Sequence, residues 1–208
     1  MNAFVLAGGQ STRMGRDKAL LELCGRPLIE HALEKLCELG FQPRIVGSRP
    51  DLSGFAPVIP DNSPRTGPLG GIEAALGVTD GEQNLFLPVD SPWLPVEFLR
   101  WMVDRAAQTS ALATVPLLQG QPQPLCAVYS KGLLPHVRAA LSEGDAKVIR
   151  AVERAAKATG LPIDAFNVES IAAAQSWRQP VPLHHWFENL NTPADIQKAV
   201  LEQSPRIH

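Results

Sequence analysis

Thirteen residues near the N-terminus, Leu6-Ala7-Gly8-Gly9-Gln10-Ser11-Thr12-Arg13-Met14-Gly15-Arg16-Asp17-Lys18, gather three glycines, two hydroxyls, two arginines and a lysine. These are the groups that hold a phosphate. Glycines let backbone N–H groups come close to an anion, and Arg13 and Lys18 can neutralise its charge. A solvated loop of ordinary turn residues is the plain alternative, and the cations beside the glycines weigh against it. Two familiar phosphate motifs do not fit. A Walker loop needs Gly and Lys adjacent and followed by Ser or Thr, whereas Arg16 and Asp17 separate Gly15 from Lys18. A dinucleotide fingerprint opens the first helix, and here the helical pattern starts only at Pro27. Gly47-Ser48-Arg49 keeps a 2′-phosphate site, and with it an oxidoreductase, open as a minor reading.

Two carboxylates follow apolar runs. Asp90, in Leu87-Pro88-Val89-Asp90-Ser91-Pro92, ends the most hydrophobic one. A charge there costs desolvation unless it is paired, hydrogen-bonded or metal-bound. It can cap the next helix. Facing a phosphate loop, it instead suits Mg²⁺, which binds one or two carboxylates plus substrate phosphates. Asp61 precedes Gly67-Pro68-Leu69-Gly70-Gly71, where glycines at a helix start allow a base or ribose contact; alone, the segment is simply turn-rich. His31 and His136 fall within helical patterns, and adjacent His184 and His185 point apart in regular structure. Neither H-E-x-x-H nor G-x-S-x-G occurs. Cys24, Cys37 and Cys126 show no C-x-x-C spacing and read as reduced, buried thiols.

The elements that must position these residues alternate. Ala3 to Leu6 reads as a buried strand stopping at Gly8-Gly9, and a helix with apolar positions from Leu28 to Leu39 runs to Gly40. Strands follow at Arg44 to Gly47 and Pro57 to Pro60, a helix at Leu69 to Leu76, a strand at Asn84 to Val89 and a helix at Pro95 to Ala107. This order predicts a doubly wound, parallel α/β sheet. Ala111 to Leu117 and Leu125 to Tyr129 flank the turn GQPQP, so antiparallel pairing there makes the sheet mixed. Helices over Gly132 to Leu141 and Ala146 to Ala158, a last strand at Trp186 to Leu190 and a closing helix at Pro193 to Leu201 complete the reading; Ser176 to His185 is a loop or lid.

A chain of 208 residues, 45% hydrophobic, fits one domain over 1–208. The net charge of -2, with both signs spread along the chain, favours neither a nucleic acid nor a membrane partner. The N-terminal apolar run is too short for a signal peptide or a membrane span, which predicts a cytoplasmic protein.

LAGGQSTRMGRDKALL strongly resembles the signature loop of molybdenum cofactor guanylyltransferases and their nucleotidyltransferase relatives. Asp61 before GPLGG, LPVDSP around Asp90 and FENLNTP from Phe187 to Pro193 follow in the family's order. The resemblance implies an α/β, Rossmann-like three-layer fold with a mostly parallel, mixed central sheet. It implies GTP and Mg²⁺ as ligands and transfer of GMP to molybdopterin with release of pyrophosphate. Leu6, Ala7, Gly8 and Gly9 would contact the nucleotide, Lys18 its phosphates, Asp61 the nucleoside and Asp90 the metal. Lys18, Asp90 and Arg13 would carry the transfer, and Asn191 would sit on the acceptor or metal side. The family's Asn near the end of the second strand is absent from Val46-Gly47-Ser48-Arg49, which bears on base selectivity, and Leu161 to His185 is longer than usual. The rivals are a cytidylyl- or sugar-nucleotide transferase on the same fold and a nucleotide-binding protein without turnover.

Overall fold

Side chains alternate along the first strand, β1 (Asn2–Leu6), and that alternation builds two cores. Ala3 and Val5 enter one apolar cluster, Phe4 and Leu6 another on the opposite face. A strand buried on both faces needs helices on both, so its sheet is the middle of three layers. The structure, a computed structural model, describes residues 1–8, 17–63, 66–175, 177, 181–192 and 194–197.

After β1 come a short hairpin, β2 (Glu22–Leu23) with β3 (Arg26–Pro27), and helix α1 (Leu28–Glu38). Strands β4 (Arg44–Val46) and β5 (Val58–Ile59), helix α2 (Gly67–Val78), strand β6 (Gln83–Pro88) and helix α3 (Val96–Thr109) follow. Then come β7 (Ala113–Leu118), β8 (Gln121–Pro122), β9 (Ala127–Ser130), α4 (Leu134–Ser142), α5 (Val148–Thr159), β10 (Ile163–Asn167) and α6 (Val168–Gln175). The sheet runs β10-β7-β9-β6-β1-β4-β5, with β8 paired to β7. β8 and β9 run against the other strands, so the sheet is mixed but mostly parallel, as expected. Helices α1, α3 and α6 cover one face and α2, α4 and α5 the other. Among the described residues no helix is long and apolar enough to cross a membrane.

Several expectations are corrected. Trp186 to Leu190 forms no strand. Its N–H groups bond locally or to a neighbouring loop: Trp186 N–H donates to the Leu183 carbonyl (3.1 Å) and Leu190 N–H to the Asp90 carbonyl (2.9 Å). Both side chains are buried beside α3 and α6, so burial and not sheet pairing explains the apolar run. The closing helix is described over residues 194–197; the rest of Pro193 to Leu201 lies outside the described residues. β10 and α6 went unread, within the long stretch from Leu161 to His185. Of the thiols only Cys126 is buried, and burial pushes its pKa up; Cys24 sits exposed at the hairpin turn and Cys37 exposed on α1. The rings of His184 and His185 do not diverge: their centroids stand 4.0 Å apart, because a 3₁₀ turn over Leu183–His185 replaces regular structure.

Candidate functional site

The carboxyl ends of β1, β4 and β6 open into one cleft of about 390 Å³, within the range of small-ligand sites. Its position follows from topology. β1 leads through α1 to β4 on one side, while β5 leads through α2 to β6 on the other, and the connections part over the ends of β1. Leu6, Ala7 and Gly8 continue β1 into the cleft, Val46 ends β4, and Val89 and Asp90 follow β6. The chains approach closely because of glycine. Gly47 has φ +137°, and a Cβ there would lie 2.9 Å from the N and Cα of Gly8. Gly71 brings α2 onto the sheet, since a Cβ would stand 3.1 Å from Val46 Cγ1. Thr66, which precedes α2, makes no side-chain capping bond. Gly67 and Pro68 of the first turn of α2 stand on the cleft wall, so the positive end of the helix dipole lies beside the cleft.

The charges are arranged in two groups. At the β6 side Lys18 Nζ donates to Asp90 Oδ2 at 3.1 Å, with 31% of the lysine side chain and 14% of the aspartate side chain exposed. A mostly covered carboxylate needs such a partner. Lys18 is held in place by its own turn: Asp17 accepts from the Ala19 N–H (2.9 Å) and starts the 3₁₀ turn Lys18–Leu20. Asp17 is gripped in turn by Arg49, whose Nη1 donates to Asp17 Oδ1 at 2.9 Å while Nη2 meets Oδ2. The same guanidinium donates to both oxygens of Asp51 (Nε 3.0 Å, Nη2 2.6 Å), and Nη1 reaches the Ala7 carbonyl at 3.5 Å. Asp51, with Asp17 adding to it, raises the Arg49 pKa against the opposing effect of burial, and Arg49 holds Asp51 below the usual carboxylate range. A guanidinium engaged by two carboxylates has little left for a 2′-phosphate, so the minor oxidoreductase reading loses its anchor.

At the other side of the cleft stands Asp61. Burial holds its carboxyl above the ordinary range, opposed by a hydrogen bond from the Ser48 backbone. Its Oδ2 lies 3.7 Å and its Oδ1 3.6 Å from where Cβ atoms would stand on Gly8 and Gly71, respectively. Among the described residues it has no ion-pair partner. Behind it, Asn62 Nδ2 donates to Glu73 of α2 (2.6 Å), and Arg138 of α4 donates to the same carboxylate (2.7 Å), which pins the loop to the helical layer.

Leu6, Ala7, Gly8, Lys18, Asp61 and Asp90 thus line one cleft although they come from three parts of the chain. Gly9 and Arg13 lie outside the described residues. Asn191 is exposed, and its amide donates to the Asn189 carbonyl (3.2 Å); the asparagine of this segment that lines the cleft is Asn189, whose side chain accepts from Ser91 Oγ (3.3 Å). Among the cleft residues not assigned to the nucleotide site from sequence are Asp17, Leu125 and Asn189, and Arg49 was read only as a possible 2′-phosphate contact. Asp17 and Arg49 carried a signal, since an acid beside the key lysine and a base beside a glycine after a strand are natural partners. Leu125 carried none, for it arrives through the pairing of β7 with β9.

Known proteins share this arrangement of chain. A model of the MobA-like NTP transferase domain matches residues 3–158. The probable molybdenum cofactor guanylyltransferase of Methanothermobacter thermautotrophicus is 35% identical over 203 residues, covering 93% of this chain and 95% of that protein. The crystal structure of molybdopterin-guanine dinucleotide biosynthesis protein A from Archaeoglobus fulgidus superposes with a TM-score of 0.73 at 26% identity, covering 96% of each chain. The 2-C-methyl-D-erythritol 4-phosphate cytidylyltransferase of Thermus thermophilus has a TM-score of 0.64 at 14% identity, covers 97% of this chain and 96% of its own, and shares the fold.

Proposed function

The chain belongs to the MobA-like NTP transferase family, and from that membership we propose that it transfers GMP from GTP to a phosphorylated pterin of the molybdopterin type, releasing pyrophosphate. It is a nucleotidyltransferase. The observation that carries the finer reading is the Lys18–Asp90 pair, a cation and a carboxylate placed where β1 and β6 end against an open helix N-terminus.

An oxygen of the acceptor phosphate attacks the α-phosphorus of GTP, the bond from that phosphorus to the oxygen bridging the β-phosphate breaks, and pyrophosphate leaves with the electron pair. Two anions must meet. Lys18, the N–H groups at the end of β1 and the first turn of α2 lower that repulsion and stabilise charge on the phosphoryl oxygens. Asp61 and the glycine-lined floor take the nucleoside. No side-chain nucleophile is required.

The donor set also fits a divalent cation that arrives with the nucleotide. Asp90 supplies hard carboxylate oxygens, and among the described residues no three His, Cys, Asp or Glu side chains gather into a cage. One carboxylate plus substrate phosphates is the usual way of holding Mg²⁺. Bound there, the ion supplies positive charge to the reacting phosphates. Lys18 Nζ, 3.1 Å from Asp90 Oδ2, stands where it would also face the phosphates of a nucleotide held there.

A second reading, a cytidylyltransferase on the same fold, is favoured by the missing asparagine at the end of β4, where Gly47-Ser48-Arg49 stands. Calorimetry with GTP, CTP, ATP and UTP in the presence of Mg²⁺, followed by pyrophosphate release with a phosphorylated pterin, tests the assignment. GTP is expected to bind best, and tighter binding of CTP would overturn the guanylyl reading.

A further inference from the structure

A nucleotide accounts for the main cleft but not for where the acceptor's ring rests. Beside it lies a second cavity of about 500 Å³ between α1 and the start of α3. The same three stretches of chain wall both. Asp17 to Ala19 line the cleft and Leu23 and Cys24 the cavity; Asp90 lines the cleft and Pro92 to Glu97 the cavity; Asn189 and Val181 do likewise for the C-terminal segment. Two residues of chain span at most roughly 7 Å, so Pro92 stands within that distance of Asp90. A ligand seated in the cavity can therefore extend a phosphate to the Lys18–Asp90 pair.

The chemistry of the walls is selective. His31 and Lys35 stand one turn apart on α1 and so face the same way. His31 Nε2 donates to the Leu23 carbonyl at 2.9 Å, which fixes the ring and leaves Nδ1 as an acceptor in the neutral form. Lys35 has its pKa lowered by burial, with Glu38, Glu34 and Glu97 opposing. Of these glutamates only Glu97 lines the cavity, and it and Lys35 together leave the wall without a net charge to draw a phosphate. They suit a neutral ligand rich in N–H donors that also carries a carbonyl. Trp93, half-buried, adds an aromatic face.

We propose that this cavity is the acceptor subsite. It takes a planar 2-amino-4-oxo pteridine ring, with Trp93 stacked on the ring, Glu97 accepting from its amino and ring N–H groups, and Lys35 donating to its carbonyl, while the attached phosphate projects to Lys18 and Asp90. The assignment rests on the reading that the acceptor is a phosphorylated pterin.

The test uses the full chain with unphosphorylated pterin as probe, following quenching of the pterin's own fluorescence, and calorimetry with GTP in parallel. Trp93→Ala and Glu97→Gln should each weaken pterin binding on the order of tenfold, the scale of a lost ring stack, and leave GTP affinity unchanged. With the phosphorylated acceptor they should raise its KM and leave kcat nearly intact. Glu97 is exposed, so its variant folds even if Trp93→Ala does not, and Trp93→Phe should restore most of the binding. Pterin binding unchanged in both variants, or absent from the parent protein, overturns the subsite. A parent protein that binds pterin through these residues yet releases no pyrophosphate from GTP with the phosphorylated acceptor upholds the subsite and defeats the guanylyl reading instead.

Discussion

Asp90 and Asp61 follow two strands of one sheet, β6 and β5, and line one cleft, yet their surroundings are opposite. Asp90 is neutralised at 3.1 Å by Lys18, which is itself held by a chain of contacts from Asp17 to Arg49. Asp61 has no described cation beside it and carries the cost of burial as a raised pKa. Under our proposal the paired carboxylate takes part in the phosphoryl transfer. Asp61, which accepts from the Ser48 backbone but meets no described cation, is under our proposal the carboxylate that accepts from the nucleoside. Damage at the Asp90 side should therefore show in turnover, and damage at the Asp61 side in binding and stability.

The largest effect is expected from Asp90→Asn. The change keeps the shape and a hydrogen bond with Lys18 but removes the charge that would hold a divalent ion. Pyrophosphate release should fall on the order of 10²-fold or more, as for other lost electrostatic stabilisers, while the thermal melt moves little. If Asp90 merely ends a strand, the variant will remain active and respond to Mg²⁺ as the parent does. Lys18→Ala comes next. It should weaken NTP binding and slow transfer by about tenfold each, because the ammonium serves both ground and transition states. Kinetics equal to the parent's would mean that the signature loop has been misread.

Arg49→Lys sharpens the contrast from a distance. Arg49 does not reach the reacting atoms by any contact described above; it fixes Asp17, and through it the turn that carries Lys18. A lysine cannot bridge two carboxylates with paired bonds. KM for the nucleotide should rise by about three- to tenfold with a smaller change in kcat. A kcat loss as deep as that of Asp90→Asn would instead assign Arg49 to the chemistry.

The sequence disclosed the Asp90 side more fully than the Asp61 side. β1, α1, β6 and α3 were readable because each writes its own period: a continuous apolar run where a strand is buried on both faces, and a helical stripe with proline at its start. β10 was not, since Ile163-Asp164-Ala165-Phe166-Asn167 buries only Phe166 fully, and Asp164 is tied to Arg105 of α3 by two bonds of 2.7 and 2.6 Å. Its strand character comes from pairing with β7, which lies far away in sequence. The segment from Trp186 to Leu190 misled for the converse reason: its apolar residues fill the space beside Phe98, whose ring centroid lies 5.4 Å from that of Trp186. Lys18 and Asp90 were legible because loop residues at strand ends have few structural reasons to be charged, whereas Asp61, in a turn-rich segment, was assigned only through the resemblance. Asp17 and Arg49 left a weaker signal, an acid beside Lys18 and a base beside Gly47, because the pairing that joins them links residues far apart in sequence.

The smallest effect is the most discriminating. Asp61 has a folded-state pKa above its unfolded value, so folding favours its protonated form. The stability tied to that preference is fully present below the unfolded carboxylate pKa, about 4, and is lost as pH rises through the raised folded value. At neutral pH the ionised carboxylate therefore costs stability, and Asp61→Asn should remove that cost. Because the site is only partly buried and solvent screens it, the gain is expected to be about half a kcal/mol, or roughly 1–2 °C in Tm. The gain should shrink as pH falls and vanish below about pH 4, where both proteins carry an uncharged group. The same variant should bind GTP several-fold more weakly, since an amide is a poorer acceptor than a carboxylate for ribose or base donors. Stability up and affinity down in one variant is the signature of a carboxylate kept for its ligand. A variant that melts lower at pH 7 and binds GTP as tightly as the parent would show Asp61 to be a structural residue of the β5 loop and would erase the contrast with Asp90.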